Sequence, residues 1–117
     1  MKKYIFLLFP FLLVGCALLS GKFNKTAYQK ADKIIYEEIF DKKKREITDK
    51  STILQIVEIL GVSQKDKTPL MAKEQLLFVR QKDTLVVYKN GTTFQDARGL
   101  YSISEEADKK LTELLKR

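Results

Sequence analysis

The chain has 117 residues, with 22 Lys and Arg against 15 Asp and Glu, a single cysteine and no histidine. That length suits one small domain rather than two. One cysteine excludes an intrachain disulfide, and the lack of histidine excludes Ser–His and Cys–His catalysis and the usual zinc sites.

Residues 1 to 15 have the three parts of a secretion signal. Lys2 and Lys3 supply the positive start, Ile5 to Val14 an apolar run broken only by Pro10, and Gly15 a small residue for cleavage. The run is too short for a permanent membrane helix, which needs about 20 residues. It ends in Leu13-Val14-Gly15-Cys16, which resembles the bacterial lipobox. The resemblance implies that the Cys16 thiol takes up diacylglycerol and that a lipoprotein signal peptidase cuts between Gly15 and Cys16. A buried CH₂ contributes about 0.8 kcal/mol and one acyl chain holds only marginally, so two chains on one cysteine anchor stably. The expected location is the outer face of the cell membrane. Ala17, in place of Asp, gives no inner-membrane retention signal, so in a Gram-negative cell the outer membrane is the destination. Leu8 to Gly15 also looks like the apolar octapeptides that some lipoprotein signals release as pheromones.

Loss of Lys2 and Lys3 lowers the net charge from +7 to +5. A basic exported chain suits anionic surfaces such as lipid headgroups or wall polymers, and export removes it from nucleic acid. Residues 16 to 30 read as a lipidated tether, with Ser20, Gly21 and Asn24 among scattered apolar residues; about 14 flexible residues span roughly 20 Å. The alternative is a helix that starts near Phe23, Ala27 and Ala31 and runs through Ile34 and Ile35.

Residues 32 to 40 read as a strand, rich in β-branched and aromatic residues, with Ile34, Tyr36 and Phe40 on one face. Asp41 to Arg45 reads as a charged turn and Arg45 to Thr48 as a short return strand. Residues 50 to 60 predict a helix, capped by Asp49 or Ser51, with Ile53, Ile56, Val57 and Leu60 at helical spacing and Leu54 and Ile59 widening the stripe. Gly61 then suits a left-handed helix end. Val62 to Lys73 is a polar loop. Gln75 to Gln81 and Thr84 to Lys89 are strands, Asn90-Gly91 predicts a type I′ hairpin turn with positive φ at both residues, and Thr92 to Gln95 returns. Asp96 to Gly99 is a loop and Leu100 to Ile103 a short extended segment. Ser104 caps a final helix whose acidic start and basic end complement its dipole, with Ala107, Leu111, Leu114 and Leu115 buried.

These segments predict an α+β domain over residues 31 to 117, a mainly antiparallel sheet of three to five strands with two amphipathic helices on one face. The segment order, with Glu46-Ile47-Thr48-Asp49-Lys50 and Tyr101-Ser102-Ile103-Ser104, resembles small single-domain lipoproteins of Gram-positive bacteria, mostly of unknown function. That resemblance implies no active site.

Lys42, Lys43, Lys44 and Arg45 form a solvated turn that suits contact with an anionic surface, worth about 1 kcal/mol per charge near lipid. Glu37 and Glu38 point to opposite faces of a strand and are poorly placed as an acid–base pair. Asp41, Asp49, Asp83 and Asp96 fall in turns and caps, where a carboxylate serves the backbone. Tyr88, Phe94 and Tyr101 gather near the last hairpin and suit the edge of a binding patch. No phosphate loop, calcium loop or nucleophile elbow is present. No metal and no cofactor is implied, apart from the covalent diacylglycerol on Cys16. The expectation is a non-enzymatic binding or accessory module that engages an envelope protein or anionic surface polymer. The alternative is a surface inhibitor or immunity lipoprotein against a toxin, lytic enzyme or phage. An enzyme would have only carboxylates or lysines to work with.

Overall fold

The computed structural model describes residues 23–116. In chain order these form helix α1 (Lys25–Gln29), strands β1 (Lys33–Glu38) and β2 (Lys43–Ile47), helix α2 (Lys50–Gly61) and strands β3 (Gln64–Lys65), β4 (Glu74–Val79), β5 (Thr84–Asn90), β6 (Thr93–Asp96) and β7 (Gly99–Ser102). Helix α3 (Glu105–Lys116) ends the described chain. All seven strands join one sheet, in the order β2-β1-β4-β5-β6-β7-β3, and every neighbouring pair is antiparallel. The α+β class holds, but the sheet has seven strands where three to five were expected, and a short helix joins the two amphipathic ones.

The additional strands have local causes. The first turn is made by residues 39–42, with Lys42 in the left-handed region at φ 55°, so pairing begins at Lys43 rather than Arg45. Phe40, expected on the inner face of the first strand, therefore sits in that turn and is 76% exposed. Strand β3 lies in the expected polar loop; both its residues are exposed, and backbone pairing of Gln64 with Ser102 and Lys65 with Tyr101 makes it a strand. Such a strand leaves no alternating apolar signal.

The stretch from Phe23 to Lys30, expected as the end of the tether, is packed on the domain. Phe23 and Tyr28 are buried and stack with ring centroids 4.5 Å apart. Phe23 meets Phe94 and Tyr101 edge-on, and Tyr28 meets Phe78 edge-on. Each such pair adds about 0.5–1.5 kcal/mol beyond its buried area, which offsets the entropy of ordering so short a helix. Helix α1 does not continue into Ile34 and Ile35. Lys50 Nζ donates to the carbonyls of Gln29 (2.6 Å) and Ala31 (3.0 Å), closing the helix end before β1 begins.

Helix α2 follows its periodicity. Asp49 is the cap, accepting from Thr52 N at 3.1 Å and Thr52 Oγ1 at 2.6 Å. Ile53, Ile56, Val57 and Leu60 are fully buried, each contributing about 1.5–3 kcal/mol, while Leu54 is exposed. Gly61 differs from expectation, since it is helical rather than left-handed. Its role is close approach: a Cβ there would lie 2.1 Å from Lys25 Cδ of α1. Ser104 caps α3, accepting from Ala107 N at 3.1 Å, and Leu111, Leu114 and Leu115 are buried.

Candidate functional site

Strand register divides the sheet into two unlike faces. Ile34, Tyr36, Ile47, Leu76, Phe78, Val87, Phe94 and Tyr101 are buried in one core with the inner sides of the helices. Residues of opposite phase form the other face, which no helix among the described residues covers. On it Ile35, Leu77 and Val86 stand opposite one another across β1, β4 and β5. A second row runs Gln75, Tyr88, Gln95 and Leu100. Ile35, Leu77, Val86 and Leu100 are half-buried and Tyr88 is 42% exposed. Two ion pairs border the rows on the β1–β2 side, Lys33–Glu46 (3.7 Å) and Lys44–Glu37 (3.9 Å). The open face is thus an apolar strip bordered by charge on one side.

The basic run does not form one patch. Lys42 lies in the first turn, and Lys43, Lys44 and Arg45 lie on the edge strand β2. The pleat sends Lys43 and Arg45 to one side and Lys44 to the other. Lysines on an edge strand also deter unwanted pairing with another sheet. Glu37 and Glu38 separate as expected, the first toward Lys44 and the second to Lys116 of α3 at 3.5 Å. The aromatic patch expected from Tyr88, Phe94 and Tyr101 is split. Phe94 and Tyr101 are buried and stacked at 5.4 Å, whereas Tyr88 is on the opposite face.

Two polar clusters inside the fold went unread in the sequence. Lys89 is 2% exposed, with Nζ 2.7 Å from Asp108 Oδ1 on α3 and 3.7 Å from Glu74 Oε1 on β4. The Tyr36 hydroxyl donates to the other Glu74 oxygen. Burial, then this carboxylate, push the Tyr36 phenol far above the ordinary tyrosine range. At the other cluster Tyr28 Oη donates to Asp96 Oδ2 at 2.8 Å, and burial followed by that hydrogen bond raises the Tyr28 phenol likewise. Asp96 Oδ1 accepts from Arg98 N (2.9 Å) and Gly99 N (3.1 Å), forming the β6–β7 turn. Both clusters tie separate elements together. The signal for Lys89 was its phase, two residues beyond Val87 on the inner side of β5.

Among the described residues, no group of three or more His, Cys, Asp or Glu is placed to hold a metal ion, and no helix is long and apolar enough to cross a membrane. Leu13, Val14, Gly15 and Cys16, with the rest of the signal and the pheromone-like segment, lie outside the described residues. Comparison with protein-family models, curated proteins and solved structures finds no match to this chain.

Proposed function

We propose that the chain is a lipid-anchored, non-enzymatic binding module on the outer face of the membrane, holding a partner envelope protein against the open face of its sheet. The observation that carries the reading is the register of Ile35, Leu77 and Val86, an apolar row left without a second layer in a domain whose other sheet face carries the core. Lipobox residues Leu13 to Cys16 support the location. Anchoring confines the module and a membrane partner to two dimensions, which raises their effective concentration. The lysines of β2 extend the contact to anionic headgroups or polymer.

Site-specific photo-crosslinking in intact cells tests this reading. A crosslinker at Leu77 is expected to trap one discrete envelope protein, while one at the exposed Lys109 of α3 traps none. Equal labelling from both positions, or none from Leu77, contradicts it.

A further inference from the structure

We infer that the gap where β5 and β6 part is a docking notch for an extended segment of a partner protein, one with apolar residues flanked by carboxylates. Strand β5 has seven residues, but β6 pairs only with Tyr88, Lys89 and Asn90. The pair Asn90–Thr93 closes a two-residue loop, so hydrogen-bonded pairs fall at Asn90–Thr93 and Tyr88–Gln95. By alternation the N–H and C=O of Val86 point to the same side. The Lys89 carbonyl, of opposite phase, points toward β4 and accepts from Lys73 N at 3.0 Å. Ala97 stands where the partner of Val86 would be, but it has already entered the β6–β7 turn. The Val86 N–H and C=O thus face the gap, and no backbone pairing joins them to Ala97.

The gap opens into a groove lined by the apolar parts of Tyr28, Leu85, Val86, Tyr88 and Ala97 together with Thr84, Gln95 and Asp96, whose carboxylate is held by Tyr28 and the turn amides. An added strand would complete the ladder at Val86 and lay alternate side chains on these apolar walls. Charge selects the strand. Exposed Lys82, two residues before the lining Thr84, and exposed Arg98, next to the lining Ala97, both adjoin the open end of the notch, where the register carries the chain beyond Ala97 toward the start of β5. The carboxylates nearest them in sequence are engaged, Asp83 by Arg80 and Asp96 by Tyr28 and the turn amides. A carboxylate at that end of the docked stretch is the complement, and one at each end serves either strand direction. A second copy is disfavoured, because either free edge would bring like charge against Lys82 and Arg98, Lys43, Lys44 and Arg45 from β2 or Lys65 from β3.

This inference rests on the binding-module reading and names how the partner is held. The test uses the full chain in detergent micelles, with a capped Glu-Val-Tyr-Val-Glu peptide as probe. The expected result is slowed hydrogen exchange at the Val86 amide, with about tenfold weaker binding of Lys-Val-Tyr-Val-Lys. Val86→Pro removes a donor that the β4–β5 ladder does not use, so the variant is expected to fold and to lose the peptide. Lys82→Glu with Arg98→Glu should reverse the preference between the two peptides. Binding that spares the Val86 amide, equal binding of both peptides, or a folded Val86→Pro chain that binds as well as its parent overturns the inference. A partner trapped at Leu77 but held equally by the Val86→Pro chain would sink the notch and leave the module reading intact. Peptide capture at Val86 without any trapped partner would do the reverse.

Discussion

Lys89 of β5 and Asp108 of α3 meet at 2.7 Å across the interface between sheet and helix, with the ammonium almost wholly shielded from water. Breaking such a pair leaves a buried charge without its nearest counter-ion. Asp108→Ala should cost about 3 kcal/mol in urea unfolding, partly softened by Glu74. Lys89→Met combined with Asp108→Ala should cost less than the sum of the single changes, because the two paired charges leave together and Glu74 keeps the Tyr36 hydroxyl. Strict additivity would show that the two side chains are not coupled.

Acid sensitivity follows from the turn and cap carboxylates. Hydrogen bonds from Thr52 hold the Asp49 carboxyl below its usual range. The amides of Thr68 and Lys67 do the same for Asp66, and the Arg80 side chain for Asp83. A carboxyl whose pKa is lower in the folded state adds stability that is fully present above its unfolded value, about 3.9, and is lost as pH falls through the folded value. Stability should therefore decline as pH drops below about 4. Asp49→Asn keeps a capping side chain but removes this titration, so its unfolding free energy should fall less steeply over that window. An unchanged slope would contradict the assignment.

The sequence was most legible where one element's own period decides burial. Helix α2 buries the four residues its spacing marks, and Asp49 and Ser104 cap as their position requires. It was least legible where a partner far along the chain decides. Phe23 and Tyr28 look like tether residues until Phe94, Tyr101 and Phe78 are placed beside them. Lys89 reads as a surface lysine until α3 supplies Asp108. Tyr88 and Phe94 are close in sequence yet stand on opposite faces, since they belong to adjacent strands in opposite phase. The open apolar face was hidden for the same reason: register, not composition, aligns Ile35, Leu77 and Val86.

The β5–β6 hairpin departs from expectation in a way that mutation reads directly. Only Gly91 has positive φ, at 59°, and pairing of Asn90 with Thr93 makes Gly91 and Thr92 the loop. Glycine at the first loop position, with positive φ, has the sign of a type II′ turn rather than the type I′ expected from Asn-Gly. A Cβ at Gly91 would meet nothing within 4 Å, so Gly91→Ala isolates the backbone cost. A loss of about 1–2 kcal/mol is expected in thermal or urea unfolding, with Gly91→Asn milder. Equal stability of the alanine variant would show that the turn relaxes.

Gly61 tests packing between α1 and α2. Alanine there collides with the Lys25 stem and displaces it from Glu58, its ion-pair partner at 3.3 Å. In a Lys25→Ala background the obstacle is gone, and Gly61→Ala should then stabilise by about 0.5–1 kcal/mol through reduced chain entropy. Less gain, or a loss, is expected when Lys25 is present. The difference between the two backgrounds, measured by urea unfolding, is the quantity of interest; no difference would remove the steric explanation of this glycine.

Mass spectrometry of the N-terminal peptide from membrane-extracted protein tests the membrane location most directly. The expected product begins at Cys16, with diacylglycerol on its sulfur, and a Cys16→Ser chain no longer carries lipid. A released product that begins elsewhere, or an unmodified Cys16 thiol on a membrane-bound chain, would contradict it.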